Sequence, residues 1–308
     1  MLMSDREYDA VLVDFSWLLK RSFHAFQQQN PTVLGERPGE TIYTGDVYGV
    51  LDTLTRIRKL SPDAVIVLCV DMKNPDGSYT NKVATEGYKA GRTQDEAFAK
   101  YEEAVALGCM LNQVFRAGIP GAEADEIIVT LAGHLSSKGK EVLIYSRDKD
   151  MRQAIGERVR QVHSIKHGRY HEVLDTDAVK EIYGCPPGAV RMWQAIRGDG
   201  IDGIKGYPRF QGRFAGLIAE NFPTPDLLFN RDKNLLPLNV EKQAKKLDAW
   251  EENLRKNYLM VRMDLVDIKD INFTIPAKRP DLIQKYELLK FKLTLEAEDS
   301  GAFETRDM

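Results

Sequence analysis

Cysteine is scarce in this chain: three in 308 residues, at Cys69, Cys109 and Cys185, with no Cys-x-x-Cys pair among them. That excludes a disulfide framework and a thiolate-zinc site, and makes a reducing, cytoplasmic setting the expectation. Long apolar runs are also missing. None approaches the roughly 18 residues needed to cross a bilayer, so no membrane association is expected. The opening residues carry no cationic stretch followed by an apolar one, as a secretory signal would. A glycine-rich nucleotide loop is lacking, which leaves ATP-driven chemistry unsupported. Charge of one sign does not dominate either: 43 Lys and Arg stand against 46 Asp and Glu, a formal net charge of −3. A surface coated in positive charge for indiscriminate polyanion binding is excluded, but a dense acidic site balanced by basic residues elsewhere is not.

What is present is an ordinary globular composition, 43% hydrophobic and 29% charged. At about 150 residues per domain the chain has room for one large or two moderate domains. Ala10-Val11-Leu12-Val13 is a short apolar run ending at Asp14. Ala64-Val65-Ile66-Val67-Leu68-Cys69-Val70 is a second, ending at Asp71. Glu141-Val142-Leu143-Ile144-Tyr145 is a third, leading into Ser146-Arg147-Asp148-Lys149-Asp150. Such unalternated runs are expected of strands covered on both faces. Helical periodicity is predicted over residues 17–26, 44–60 and 96–115, and an acid-rich helix start at Glu123-Ala124-Asp125-Glu126. The alternation predicts an α/β fold with a central, mostly parallel sheet flanked by helices. Residues 158–162 and 170–174 predict a hairpin around Lys166-His167-Gly168, and a helical lobe follows from residue 177. The stretch 72–100 is polar, basic and poor in large aliphatics, and reads as a projecting loop. The expected division is a core over 1–176, a helical lobe over 177–270 and a C-terminal extension over 271–308.

Parallel sheets place their sites beyond the carboxyl ends of their strands, and Asp14, Asp71, Asp148 and Asp150 fall there. The candidate acids form five groups: Asp14; Asp71; Glu123, Asp125 and Glu126; Asp148 and Asp150; Asp199 and Asp202. Sharing one cleft, they would repel one another severely without cations. Oxygen ligands without histidine or cysteine select Mg²⁺, with Mn²⁺ able to substitute. Two such ions about 4 Å apart suit phosphodiester hydrolysis. Each group has a plainer explanation: a helix macrodipole for Glu123, Asp125 and Glu126, an N-cap for Asp148, an Asx turn for Asp199-Gly200-Ile201-Asp202-Gly203. Their conjunction at strand ends favours the shared site. His163, His167 and His171 recur every four residues but sit on the predicted hairpin, where such positions lie more than about 12 Å apart along one strand. They read as structural or surface residues, and Trp17, Trp193 and Phe214 as packing.

These segments, in this order, resemble the 5′-nuclease family of structure-specific exonucleases and flap endonucleases. That family includes phage replication nucleases and the N-terminal nuclease domain of bacterial DNA polymerase I. Val11 to Ala25 resembles its opening strand and helix, with Asp14 as a metal ligand and Arg21 matching its arginine, and Asp71 matches its second strand-end aspartate. Gly121-Ala122-Glu123-Ala124-Asp125-Glu126 resembles Gly-x-Glu-Ala-Asp-Asp, and Ser146 to Asp150 resembles Ser/Thr-x-Asp-x-Asp. Gly198 to Pro208 resembles the start of its helix–turn–helix.

The resemblance implies a PIN-like 5′-nuclease core with a helix–turn–helix DNA-binding lobe, acting as a two-metal 5′-3′ exonuclease and flap endonuclease. Its substrates would be DNA with 5′ flaps, nicks or ends and RNA–DNA primers. Asp14, Asp71, Glu123, Asp125, Glu126, Asp148, Asp150, Asp199 and Asp202 would hold the ions directly or through water. In the basic loop, Tyr-Lys-Ala-x-Arg matches the family's arch. Lys89 and Arg92 would therefore stabilise charge at the scissile phosphate, and Tyr88 would offer a stacking surface. Arg21, Gly206, Arg209, Gly212 and Arg213 would contact nucleic acid. A monomer recruited by a single-stranded DNA-binding protein or a polymerase clamp, in a bacterial or phage-infected cell, is what the family implies.

Two departures stand out. Glu126 replaces the usual Asp, moving that carboxylate outward by one methylene. Ile201 replaces a usual Ser, and Arg209-Phe210-Gln211-Gly212 a usual Gly-Ile-Gly, in the segment that holds K⁺ against duplex phosphates in the family. The K⁺ site is thereby put in doubt, and Arg209 and Arg213 could meet phosphate directly. Two rivals remain. A junction-binding protein without catalysis would gain nothing from the full acid set. An aspartyl-phosphate phosphatase would want a second Asp two residues after Asp14, where Ser16 stands.

Overall fold

The computed structural model describes residues 7–26, 32–34, 41–77, 79, 99–200, 202–261, 263, 265–275 and 281–282. The first apolar run forms β1 (Ala10–Asp14), and α1 (Phe15–Phe26) follows without a break. A two-stranded ribbon, β2 (Thr32–Leu34) and β3 (Thr41–Tyr43), precedes α2 (Gly45–Leu60). The second run forms β4 (Val65–Cys69), followed by α3 (Tyr101–Asn112), β5 (Phe115–Gly118), α4 (Ala124–Ser137) and β6 (Val142–Tyr145). After a 3₁₀ turn come β7 (Val159–Val162), β8 (Ser164–Lys166) and β9 (Arg169–His171).

The central sheet has the order β5-β4-β1-β6-β7, all parallel. It is extended at the β5 edge by an antiparallel strand, β12 (Asn272–Thr274). Side chains alternate across each strand, so one apolar run supplies two layers. Val11, Val13, Ile66, Leu68, Leu143 and Tyr145 pack with α1, α2 and α3. Leu12, Val67, Cys69 and Ile144 pack on the other face with Ile127, Ile128 and Leu131 of α4. Cys69 behaves as a small buried hydrophobe there.

The remaining elements build a separate apolar cluster: α5 (Thr176–Tyr183), α6 (Val190–Arg197), β10 (Gly198–Asp199), β11 (Ile204–Lys205), α7 (Gly212–Asn221), α8 (Pro225–Phe229), α9 (Leu238–Leu247) and α10 (Glu251–Met260). Asp175 caps α5 by accepting from Ala178 N–H at 2.9 Å, and Gly184, at φ +68, ends it in the left-handed region that glycine tolerates. Trp193 and Phe214 pack against this cluster, and Trp17 against the core of the sheet. Among the described residues no helix is long and apolar enough to cross a membrane.

Two expectations need correction. The helix predicted to reach residue 115 stops at Asn112, because Gln113 adopts a left-handed conformation (φ 51), and Phe115–Gly118 is a strand. Residues 158–162 are not one arm of a hairpin: Val159–Val162 joins the sheet beside β6, and the hairpin is the shorter β8–β9 pair, turning at His167 (φ 51) and Gly168 (φ 69). Only a single bridge, Gln161 to Leu174, survives from the longer pairing. Within 271–308, β12 adds an antiparallel strand to the β5 edge of the sheet.

Candidate metal centre

The strand order runs outward from β1 to β4 and β5, then returns to place β6 on the other side of β1. The crevice beyond the carboxyl ends at that reversal is where open α/β sheets place their sites. Asp14 ends β1 and is 8% exposed. Its Oδ1 accepts from Trp17 N–H at 3.1 Å and its Oδ2 from Ser146 Oγ at 2.7 Å, which ties β1 to the segment after β6. Asp71 follows β4; its Oδ1 accepts from Ala124 N–H at 2.7 Å, at the start of α4, and its Oδ2 from Ser16 Oγ. Tyr101 Oη accepts from Asp71 N–H at 3.1 Å and lies 3.3 Å from Ser16 Oγ.

After β6 the chain is held by its own side chains. Ser146 Oγ accepts from Asp148 N–H at 3.0 Å, and Asp148 Oδ1 accepts from Asp150 N–H at 2.8 Å. The buried Gln161 of β7 donates to the carbonyls of Ser146 at 2.9 Å and Asp148 at 2.7 Å. Gln194 of α6 donates to Asp150 Oδ1, joining the lobe to this loop. From the lobe side, the β10–β11 hairpin presents Asp199 and Asp202. Ligand oxygens of Asp150, Asp199 and Asp202 all lie within 4.8 Å of one another, the only such group of three among the described residues. Lys149 Nζ lies 2.6 Å from Asp199 Oδ2.

Electrostatics link these acids into one field. Burial, with Asp71 and Asp148 nearby, pushes the Asp14 carboxyl up to about 7 despite its two donors. Burial and the Asp148 charge push Asp150 up to about 7, and burial raises Asp148, with Asp125 and Asp202 adding to it. Burial lowers Lys149, but Asp199 with Asp150 and Asp148 together outweigh it, so its net shift is upward. Carboxylates that hold protons this tenaciously are the ones a divalent ion relieves, and an all-oxygen donor set fits a hard cation. The residues therefore suit divalent metal.

The α4 acids divide by role. Glu123 is the N-cap, and Glu126 Oε2 accepts from Glu123 N–H at 2.9 Å, the reciprocal half of a capping box. The extra methylene of Glu126 is what lets it reach back to the backbone. Asp125 Oδ1 accepts from Glu126 N–H at 2.8 Å.

Arg21 donates to Tyr145 Oη at 3.0 Å and stacks over Trp17, with 5.5 Å to its ring centroid. Arg209, at φ 57, and Arg213, over the Phe214 ring, are exposed on the lobe near the start of α7. Gly206 has a structural duty, since a methyl there would strike the Arg197 carbonyl; Gly212 has room for one. Lys89, Arg92 and Tyr88 lie outside the described residues, as does Ile201. The sequence reading missed the polar residues that orient the acids: Ser16, Tyr101, Ser146, Lys149, Gln161 and Gln194. Ser16, Ser146 and Lys149 at least stand inside a quoted motif; the others carry no local signal.

Residues 9–184 match the family described as 5′-3′ exonuclease, N-terminal resolvase-like domain. The chain is 31% identical to DNA polymerase I of Pseudomonas aeruginosa over 94% of its own length, spanning 32% of that longer protein. It is 26% identical to the 5′-3′ exonuclease of Buchnera aphidicola, covering 83% of this chain and 86% of that one. Among solved structures it resembles phage T5 5′-exonuclease with bound divalent metal ions (zinc): TM-score 0.60, 19% identity, 94% of this chain and 98% of that one. It also resembles flap endonuclease-1 from Methanococcus jannaschii: TM-score 0.54, 14% identity, 96% and 94%. At these identities the structural likenesses establish the fold, that of PIN-like 5′ nucleases.

Proposed function

From the premise that the chain belongs to the 5′-3′ exonuclease family, we propose that its acidic crevice hydrolyses phosphodiesters near 5′ ends and 5′ flaps of DNA. The observation that carries this reading is the assembly of Asp150, Asp199 and Asp202 within 4.8 Å, beside the linked acids of β1 and β4. Asp150, Asp199 and Asp202 would hold one ion. Asp14, Asp71 and Asp148, with Glu123, Asp125 and Glu126 through water, would hold the other. Bound there, Mg²⁺ or Mn²⁺ would supply an activated water and neutralise charge on the phosphate and leaving oxygen.

This chain's residues do the rest. Ser146 and Ser16 fix the Asp14 and Asp71 carboxylates by donating to one oxygen of each. The Gln161 and Gln194 amides hold the loop between them. Lys89 and Arg92 would meet the scissile phosphate, Tyr88 a displaced base, and Arg21, Gly206, Arg209, Gly212 and Arg213 the nucleic-acid backbone. Arg209 and Arg213 would act on the duplex in place of a K⁺-binding loop. Processing of RNA–DNA primers, action as a monomer in the cytoplasm, and recruitment by a single-stranded DNA-binding protein or a polymerase clamp belong to the same proposal.

A 5′-flap duplex labelled at both ends of the flapped strand, incubated with Mg²⁺ or EDTA, tests it. Mg²⁺-dependent release from the 5′ side is the expected result, the fragment sizes separating flap removal from stepwise trimming. Tight flap binding with no cleavage in Mg²⁺ or Mn²⁺ would replace the enzyme with a junction binder.

A further inference from the structure

We propose that Lys149 is a built-in counter-cation of the outer acidic cluster: its ammonium occupies the Asp199 carboxylate in the metal-free protein and is exchanged for a divalent ion when that ion binds. The inference rests on the metal-dependent reading above and adds regulation to one of its two sites.

Three observations meet at this pair. Lys149 Nζ is 2.6 Å from Asp199 Oδ2, and the Asp199 side chain is only 7% exposed. A carboxylate so removed from water needs a cation beside it, and the Lys149 ammonium supplies one. Asp199 also belongs to the group of three aspartates whose oxygens converge within 4.8 Å. Ammonium and metal ion therefore address the same carboxylate, and two cations placed there repel each other.

Backbone geometry puts the lysine in this position. Lys149 stands between Asp148 and Asp150, whose own hydrogen bond (2.8 Å) pins the backbone on both sides, and it heads the 3₁₀ turn Asp150–Ala154. Its stem is free to turn while its Cα is not. The side chain is 39% exposed, so it can withdraw into solvent without opening a cavity. With the ammonium in place, the three aspartates can stay assembled before any ion arrives. Removing it is then a condition of ion binding, which raises the metal concentration at which the outer site fills.

The opposite arrangement gives the opposite sign. A lysine that stays on Asp199 in the metal-loaded protein would orient a ligand, and its loss would weaken the ion's hold. The experiment titrates Mn²⁺ by calorimetry into the full chain and into Lys149→Met and Lys149→Gln. It also follows the wild-type lysine ammonium groups in side-chain ¹H–¹⁵N spectra as Mg²⁺ is added. An apparent affinity falls in proportion to the fraction of molecules that are binding-competent, so an ammonium in place in about nine of ten molecules implies about tenfold tighter binding at the weaker site once it is removed.

The expected result is that tightening in both variants, with the stoichiometry unchanged. In the wild type, the exchange-protected Lys149 signal should be lost to solvent exchange as Mg²⁺ saturates. Weaker or equal Mn²⁺ binding in variants that fold, or a Lys149 signal unchanged by saturating Mg²⁺, overturns the proposal while leaving the metal-dependent reading intact. A wild-type protein that takes up no Mn²⁺ overturns that reading and this one with it.

Discussion

Ser146 Oγ donates to Asp14 Oδ2 at 2.7 Å, across the junction where the strand order reverses. The same oxygen accepts from Asp148 N–H at 3.0 Å. One hydroxyl thus sets the spacing between the acid at the end of β1 and the acids after β6, and the distance between two candidate ligand groups hangs on it.

Ser146→Ala should separate these groups while leaving the sheet intact. Groups that orient metal ligands typically cost about 10–100-fold in metal affinity or activity when removed. Cleavage should fall within that range and Ser146→Thr should recover part of it, as single-turnover rates across a Mg²⁺ series will show. An alanine variant at the wild-type rate would mean that Asp14 is held by Trp17 N–H alone.

The pH dependence of metal-free stability follows from the raised carboxyls. Asp14 and Asp150 have folded-state values of about 7 against 3.8 in the unfolded chain. Their contribution is full below 3.8 and disappears as pH rises through 7, because the folded state then gives up protons it held more tightly. His163, lowered by burial, works the other way over part of this interval. Thermal unfolding in EDTA should therefore show Tm falling from pH 5 to pH 8, and Mg²⁺ or Mn²⁺ should raise Tm more at pH 8 than at pH 5. A Tm in EDTA that climbs steadily over this interval contradicts it.

Tyr101→Phe removes an acceptor from Asp71 N–H and a partner from Ser16, while the ring still packs edge-on against Phe15 at 4.9 Å. A hydrogen bond of net worth about 1 kcal/mol translates into about a fivefold effect. The metal concentration for half-maximal cleavage should rise by that order with Tm little changed. A collapse in Tm would assign Tyr101 to folding instead.

Gly198 adopts φ +74, and a side chain there would run into the Gly206 backbone. Gly198→Ala should displace the hairpin that carries Asp199 and Asp202, at a cost of about 1–3 kcal/mol. Loss of one Mn²⁺ from the binding stoichiometry, with the other retained, is the expected calorimetric outcome.

The positions of Asp14, Asp71, Asp148 and Asp150 were legible because they follow apolar runs that only a strand buried on both faces explains: Ala10 to Val13, Ala64 to Val70 and Val142 to Tyr145. β5 was not, since Phe115-Arg116-Ala117-Gly118 is short and half-buried at its start, and an apolar periodicity runs into it from α3. β7 was legible as a strand but not as part of the central sheet, because Arg160 and Gln161 break the apolar character expected of a strand covered on both faces. Gln161 is buried there and holds the carbonyls of Ser146 and Asp148, so the polar residue that disguised the strand's place in the sheet is the one that serves the site. Pairs such as Lys149 with Asp199 and Gln194 with Asp150 join residues far apart in the chain, and only folding brings them together.

Cleavage of a 5′-flap duplex by the Asp148→Asn/Asp150→Asn variant, beside wild type and with duplex binding measured in parallel, is the most direct measurement. Removing two carboxylates that would hold the ions should lower the single-turnover rate by at least about 100-fold while binding stays within about threefold. A variant that cleaves within about tenfold of wild type, or loses cleavage only as it loses binding, would place the chemistry outside these acids.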